Sequence, residues 1–76
     1  MGIDLSLAAV GRVSAAVYDV RGRLVAIVRD GMMPPGPHRV EWDGRGRGGE
    51  PVAAGVYFMQ IRVADQEKWE KFVVLR

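Results

Sequence analysis

The chain has no cysteine, no threonine and no asparagine, and holds a single histidine, two serines and two lysines in its 76 residues. Without cysteine there is no disulfide, no thiolate nucleophile and no thiolate metal ligand. A domain this short must then be held by burial and backbone hydrogen bonds alone. A chain near this length buries only about 60% of the surface its unfolded form exposes, which leaves one modest core and one domain, residues 1–76. The compartment stays open, because a cysteine-free chain suits export and the cytosol equally. The scarcity of nucleophiles limits catalysis as well. A Ser-His-Asp arrangement would have to combine Ser6 or Ser14 with His38, and alternation places His38 among the core residues of its strand. No motif orients that ring as a general base, so a satisfied, half-buried histidine is the expectation. The carboxylates are dispersed singly, Glu67 and Glu70 fall on opposite faces of a strand, and no spacing matches a zinc or calcium site. We therefore expect no enzyme, no metal and no cofactor.

Two further features are absent. No apolar run approaches the ~20 residues that span a bilayer, and no stretch has the basic, apolar, small-residue order of a signal peptide. Met1-Gly2-Ile3-Asp4-Leu5-Ser6 fits a short myristoylation pattern, but Ile3, Leu5 and Leu7 alternate with Asp4, Ser6 and Ala8 as a first strand would, so lipidation is not expected, and without a spanning run neither is membrane insertion. Neither charge sign dominates. Eleven basic and nine acidic residues interleave to a formal +2, which implies no strong polyanion partner.

What is present is a period of two almost throughout, with no repeat and no helical periodicity. Residues 13–20 and 23–29 read as strands, with Arg21-Gly22 between them supplying the positive φ of a tight hairpin. Both runs are apolar on both faces in their middles, as if covered by sheet on one side and by loops or a neighbour on the other. Asp30–Pro37 reads as a surface connection because of its three prolines, with Met32 and Met33 packed on the core rim. His38, Val40 and Trp42 are expected to face the core while Arg39, Glu41 and Asp43 face water. From Pro51 the chain re-enters the sheet. Tyr57, Met59, Ile61 and Val63 form one apolar face of the strongest strand, with Gln60 and Arg62 on the other beside Val56 and Phe58. Residues 67–75 return as a last strand whose register is ambiguous, since Phe72 and Val74 point one way and Trp69, Val73 and Leu75 the other.

Gly44-Arg45-Gly46-Arg47-Gly48-Gly49-Glu50 has the look of a phosphate-binding loop. It carries no aromatic platform for bases and only two arginines, and no helix follows it, so nucleic acid and dinucleotides are excluded in favour of a wide glycine turn.

Several blocks, taken in order, carry a resemblance. They are Val17-Tyr18-Asp19 with Gly22-Arg23 and Val25; Pro35-Gly36; Trp42-Asp43-Gly44-Arg45; Gly49, Pro51-Val52, Ala54-Gly55 and Val56-Tyr57; and the ending Lys71-Phe72-Val73-Val74-Leu75-Arg76. From about Val13 to Arg76 the chain resembles the immunoglobulin-like module of flagellar hook-cap proteins. It also resembles the closely similar C-terminal sorting domain of proteins exported by the bacterial type IX secretion system. Acidic residues commonly follow the Trp-Asp-Gly-Arg step in such modules. Gly46 and Arg47 stand there in this chain, so no cation site is expected.

The resemblance implies an all-β fold, a small immunoglobulin-like (fibronectin type III-like) antiparallel β-sandwich of six to seven strands. The parent protein it implies is larger, exported and bacterial, found at the cell surface or outside the cell, with this module at its C-terminus and a leader upstream. The function it implies is a non-catalytic sorting signal read by the export machinery, with Gly55, Tyr57, Lys71 and Arg76 as recognition residues. The rival reading is a purely structural or assembly module, hook-cap-like or beside an extracellular hydrolase, in which Trp69 offers an exposed aromatic for a glycan. Parent-protein domains are expected partners in either case. A short sandwich also has open sheet borders through which copies could associate.

Overall fold

The computed structural model describes residues 1–75 and forms a six-stranded antiparallel sandwich. The strands are β1 (Gly2–Leu7), β2 (Gly11–Asp19), β3 (Leu24–Met33), β4 (Gly36–Glu41), β5 (Gly55–Val63) and β6 (Gln66–Val74). Four of them make one sheet in the order β3-β2-β5-β6, and β1 and β4 pair to make the other. The inner faces of the two sheets meet over Ile3, Leu7, Val13, Val17, Val40, Trp42, Tyr57, Met59 and Ile61, all buried.

The β2–β3 hairpin closes where glycine was expected to allow it. Gly22 has φ 79°, its amide donates to the Asp19 carbonyl (3.0 Å), and the Asp19 side chain accepts from the amides of Arg21 (2.9 Å) and Arg23 (3.0 Å). β3 is longer than the sequence implied. It runs through Asp30-Gly31-Met32-Met33, which pair with residues of β2 from Gly11 to Ser14, so the expected surface connection shrinks to Pro34-Pro35. The reason is local: the prolines begin only at position 34, and residues 30–33 keep every amide needed for the ladder. Met33 is buried as part of the core, whereas Met32 on the opposite face is exposed rather than packed on the rim.

β3 also carries two register shifts, one between Ala15 and Ala16 and one between Val17 and Tyr18 of its partner. They leave Val28 and Val25 as extra residues on the β3 side. Such bulges re-aim side chains, and here they let Val25, Ala26 and Val28 all reach the core. That accounts for a run that looked apolar on both faces.

β5 follows its expected alternation, with Tyr57, Met59 and Ile61 buried and Val63 packed against them. Re-entry into the sheet comes later than Pro51, which makes only an isolated bridge to Arg45; the ladder resumes at Gly55. The register of β6 places Phe72 opposite Tyr57 and Val74 opposite Gly55, so these two face inward. Trp69 and Val73 lie on the outer face.

Candidate interaction surfaces

The Trp-Asp-Gly-Arg block serves the scaffold. Trp42 is buried and its indole N–H donates to the Arg45 carbonyl (2.9 Å), closing the first bend of the long β4–β5 connection. The Asp43 carboxylate accepts from the Arg45 amide (3.0 Å), an Asx-type turn, and Gly44 between them takes φ 77°. The Arg45 guanidinium clasps the Gly49 carbonyl (2.9 Å), and the Gly46 amide donates to the Glu50 carbonyl (2.9 Å). The Arg47 amide bonds the Val25 carbonyl (3.1 Å), which docks the connection on the border of β3. Glycine and arginine thus fold the segment on itself. Among the described residues no three histidine or acidic side chains gather to hold a metal ion.

Tyr57 belongs to the same unit. It is 8% exposed, packs edge-on against Trp42 with ring centroids 5.4 Å apart, and its hydroxyl donates to the Ala53 carbonyl (2.7 Å). Gly55 lies between them at the start of β5, exposed and with φ 152°, so the chain can turn into the strand. Lys71 is exposed on β6 opposite Phe58. The expected recognition residues therefore share two neighbouring strands but not one surface, because Tyr57 faces inward and Lys71 outward. Arg76 lies outside the described residues. His38 is half-buried, with Nε2 donating to the Pro34 carbonyl (2.6 Å). Ser6 pairs with Pro37 on the opposite face of its sheet, and Ser14 sits in the other sheet, so neither approaches that ring.

Trp69 is half exposed but not loose. It stacks at a tilt on Tyr18 with centroids 5.8 Å apart, beside a polar knot in which the Glu67 carboxylate accepts from Gln60 and from the Arg62 guanidinium (3.2 Å). The Arg62 hydrogen bond is the main reason the Glu67 carboxyl titrates below its ordinary value, with smaller help from Gln60 and the Trp69 indole.

The ladder sets Ile27, Ala16, Gln60 and Trp69 in one row across the outer face of the larger sheet, and Leu24, Tyr18, Phe58 and Lys71 in the next. Ile27 is 61% exposed and Val73 53%. The sequence reading did not assemble this apolar end of the face. Its signal lay in the alternate positions of β2, β3 and β5, which carry apolar residues on their outer side too. Among the described residues no loop of this chain shields Ile27, Trp69 or Val73, which stand exposed.

The smaller sheet binds its outer surface by charge. Arg39 reaches Asp4 (2.9 Å) and Glu41 (2.5 Å), and the hydrogen bond from Arg39 is the principal cause that lowers the Glu41 pKa. No helix among the described residues is long and apolar enough to cross a membrane.

Comparison with known families agrees with this geometry. A family profile described as FlgD Ig-like domain matches residues 2–67. The match takes in β1, ahead of the Val13 at which the sequence resemblance began, and ends at the second residue of β6. The closing segment Lys71–Arg76, which carried part of the likeness to sorting domains, lies outside it, while Gly55 and Tyr57 lie within. No curated protein matches the chain.

Proposed function

We propose, from the premise that this chain belongs to the FlgD Ig-like domain family, that it is a non-catalytic structural or assembly module. The family match over residues 2–67 carries this reading. The internal use of Trp42, Asp43, Gly44, Arg45 and Tyr57 supports it, because residues spent on folding a connection are not free to turn over a substrate. In its finer form the module spaces or docks neighbouring domains of an exported bacterial protein, as in a hook cap or beside an extracellular hydrolase. A sorting signal is the competing assignment. It draws on Gly55, Tyr57 and the closing segment, and of these Tyr57 is spent inside the fold while Lys71 is an exposed charge on a border strand, where lysine is common as protection against unwanted pairing.

A reporter assay separates the two. The 76-residue chain is fused to the C-terminus of a periplasm-directed fluorescent protein in a bacterium with a working type IX system. The expected result is a folded fusion retained in the periplasm. Reporter at the surface or in the medium, abolished by Lys71→Ala or by deletion of residues 72–76, would replace the structural reading with the sorting one.

A further inference from the structure

Two sheets of unequal size leave four strand borders, and three of them carry recognisable protection against pairing. β3 is broken by its two register shifts and has the Arg47 amide already seated on the Val25 carbonyl. β6 is lined with Glu67, Lys68, Glu70 and Lys71.

The state of β4 follows from the hydrogen-bond phase of its pairing with β1. Trp42 and Met1 exchange backbone bonds, 2.7 Å from the Trp42 amide and 3.5 Å from the Met1 amino group. In an antiparallel ladder exchanging pairs alternate, so Ile3/Val40, Leu5/His38 and Leu7/Gly36 exchange bonds and the pairs between them do not. Pro37, Arg39 and Glu41 of β4 therefore point their backbone outward, and the outward position nearest its start is a proline with no N–H to offer.

By the same phase Gly2, Asp4 and Ser6 of β1 turn their N–H and C=O groups to the open side. β1 has no proline, no lysine and no register shift. Beside it lies a groove of mixed character, apolar at Leu5, Leu7, Ile61 and Val63 and polar at Ser6 and Glu67, with Leu5 and Val63 only partly buried.

We infer that β1 is a docking edge for a second copy of this chain, pairing antiparallel about a two-fold axis at Leu5 so that the two small sheets join as one four-stranded sheet. Three features select that register. Inward residues meet inward residues, Ile3 against Leu7 of the second copy and Leu5 against Leu5. Asp4 falls opposite Ser6 of the second copy, and these are the residues whose backbone groups point outward. They give two exchanging pairs with two bonds each, four in all. Moving the axis by one residue to Asp4 would keep the phase but set two aspartates face to face, which cross-strand pairing disfavours. A two-fold contact of this kind closes on itself and does not propagate into fibres. The edge is short, well below the roughly 1,200 Å² of a stable interface, so the dimer is weak and concentration-dependent. The inference rests on the fold alone. A monomeric result would leave the assembly reading to its own assay.

The absence of cysteine makes the test clean. At a non-exchanging pair the Cα atoms lie about 4.5 Å apart, within the span of a disulfide. Leu5→Cys is therefore expected to form a covalent dimer under mild oxidation at least about tenfold faster than Lys71→Cys on the β6 border. In sedimentation velocity Ser6→Pro, which removes an N–H that the single chain does not use, is expected to abolish the concentration dependence. Equal cross-linking rates for the two cysteine variants, or sedimentation unaffected by Ser6→Pro in a variant that melts like the parent, would overturn the inference.

Discussion

Replacing Tyr57 by phenylalanine separates a folding role from a recognition role at a position where the sorting resemblance expected recognition. The ring stays and keeps its contact with Trp42, and only the hydroxyl bond to the Ala53 carbonyl (2.7 Å) is lost. A net intramolecular hydrogen bond contributes about 1 kcal/mol. The Ala53 carbonyl, left without this donor, sits in an exposed segment where water replaces part of the loss, so the cost should stay near that figure. For a domain of 60–100 residues, about 1 kcal/mol moves the melting temperature by roughly 4–8 °C.

The assay is thermal melting by circular dichroism beside a guanidinium titration. The expected result is a lower midpoint at unchanged m, the mark of lost stability with the same surface exposed on unfolding. Tyr57→Ala removes the ring as well and should cost about 3–5 kcal/mol, the range for emptying a buried aromatic site, which is comparable to the whole stability of a domain this small. A Tyr57→Phe protein that melts within about 1 °C of the parent would refute the claim that the hydroxyl ties the β4–β5 connection to the sheet.

Two further outcomes follow from the structure. Gly22→Ala should destabilise by about 1 kcal/mol, because φ 79° lies where L-residues are strained. Gly31→Ala, in the middle of β3 with open space at its Cβ and no positive φ, should be neutral or slightly stabilising; guanidinium midpoints of the pair check the contrast, and equal losses would contradict it. Acid should lower the stability of the protein below about pH 4.5. Asp19, held by the Arg23 amide, Glu41, held by Arg39, and Glu67, held by Arg62, all titrate below their ordinary values in the folded chain. The unfolded chain then takes up their protons first, so the stability they add is complete above the ordinary values of 3.8 and 4.5 and is lost as pH falls through the lower folded ones. Guanidinium midpoints measured against pH should be level from neutrality to about pH 5 and then fall, less steeply in high salt because these pairs are exposed.

Much of the fold was legible in the residues because the period of two is local information. The β2–β3 hairpin could be placed from Arg21-Gly22, and the inner face of β5 from Tyr57, Met59 and Ile61. The errors came where a non-local partner decides. Prolines at 34, 35 and 37 made the preceding residues look like loop, yet Asp30–Met33 extend β3 because β2 is long enough to pair them. Pro37 is tolerated inside β4 because its phase never calls on its nitrogen. The two bulges in β3 have no signature in a single sequence, and they decide which of Val25, Ala26 and Val28 face inward. The site residues divide in the same way. Tyr57 and Trp42 were placed inside by alternation, while the fixing of Trp69 against Tyr18, beside a Glu67 bound by Gln60, joins residues from three strands.

The positions that carry the family resemblance are therefore weak guides to what the module touches. Trp42, Asp43, Gly44 and Arg45 fold a connection, Tyr57 pins it, and Gly22 closes a hairpin; each is accounted for by a bond or a backbone angle inside the molecule. Contact with another molecule has to be made by residues that the scaffold leaves free, and two such places stand out among the described residues. One is the apolar end of the larger sheet's outer face, where Ile27, Val73 and a braced Trp69 stand exposed. The other is β1, whose outward amides and carbonyls meet no proline, lysine or bulge.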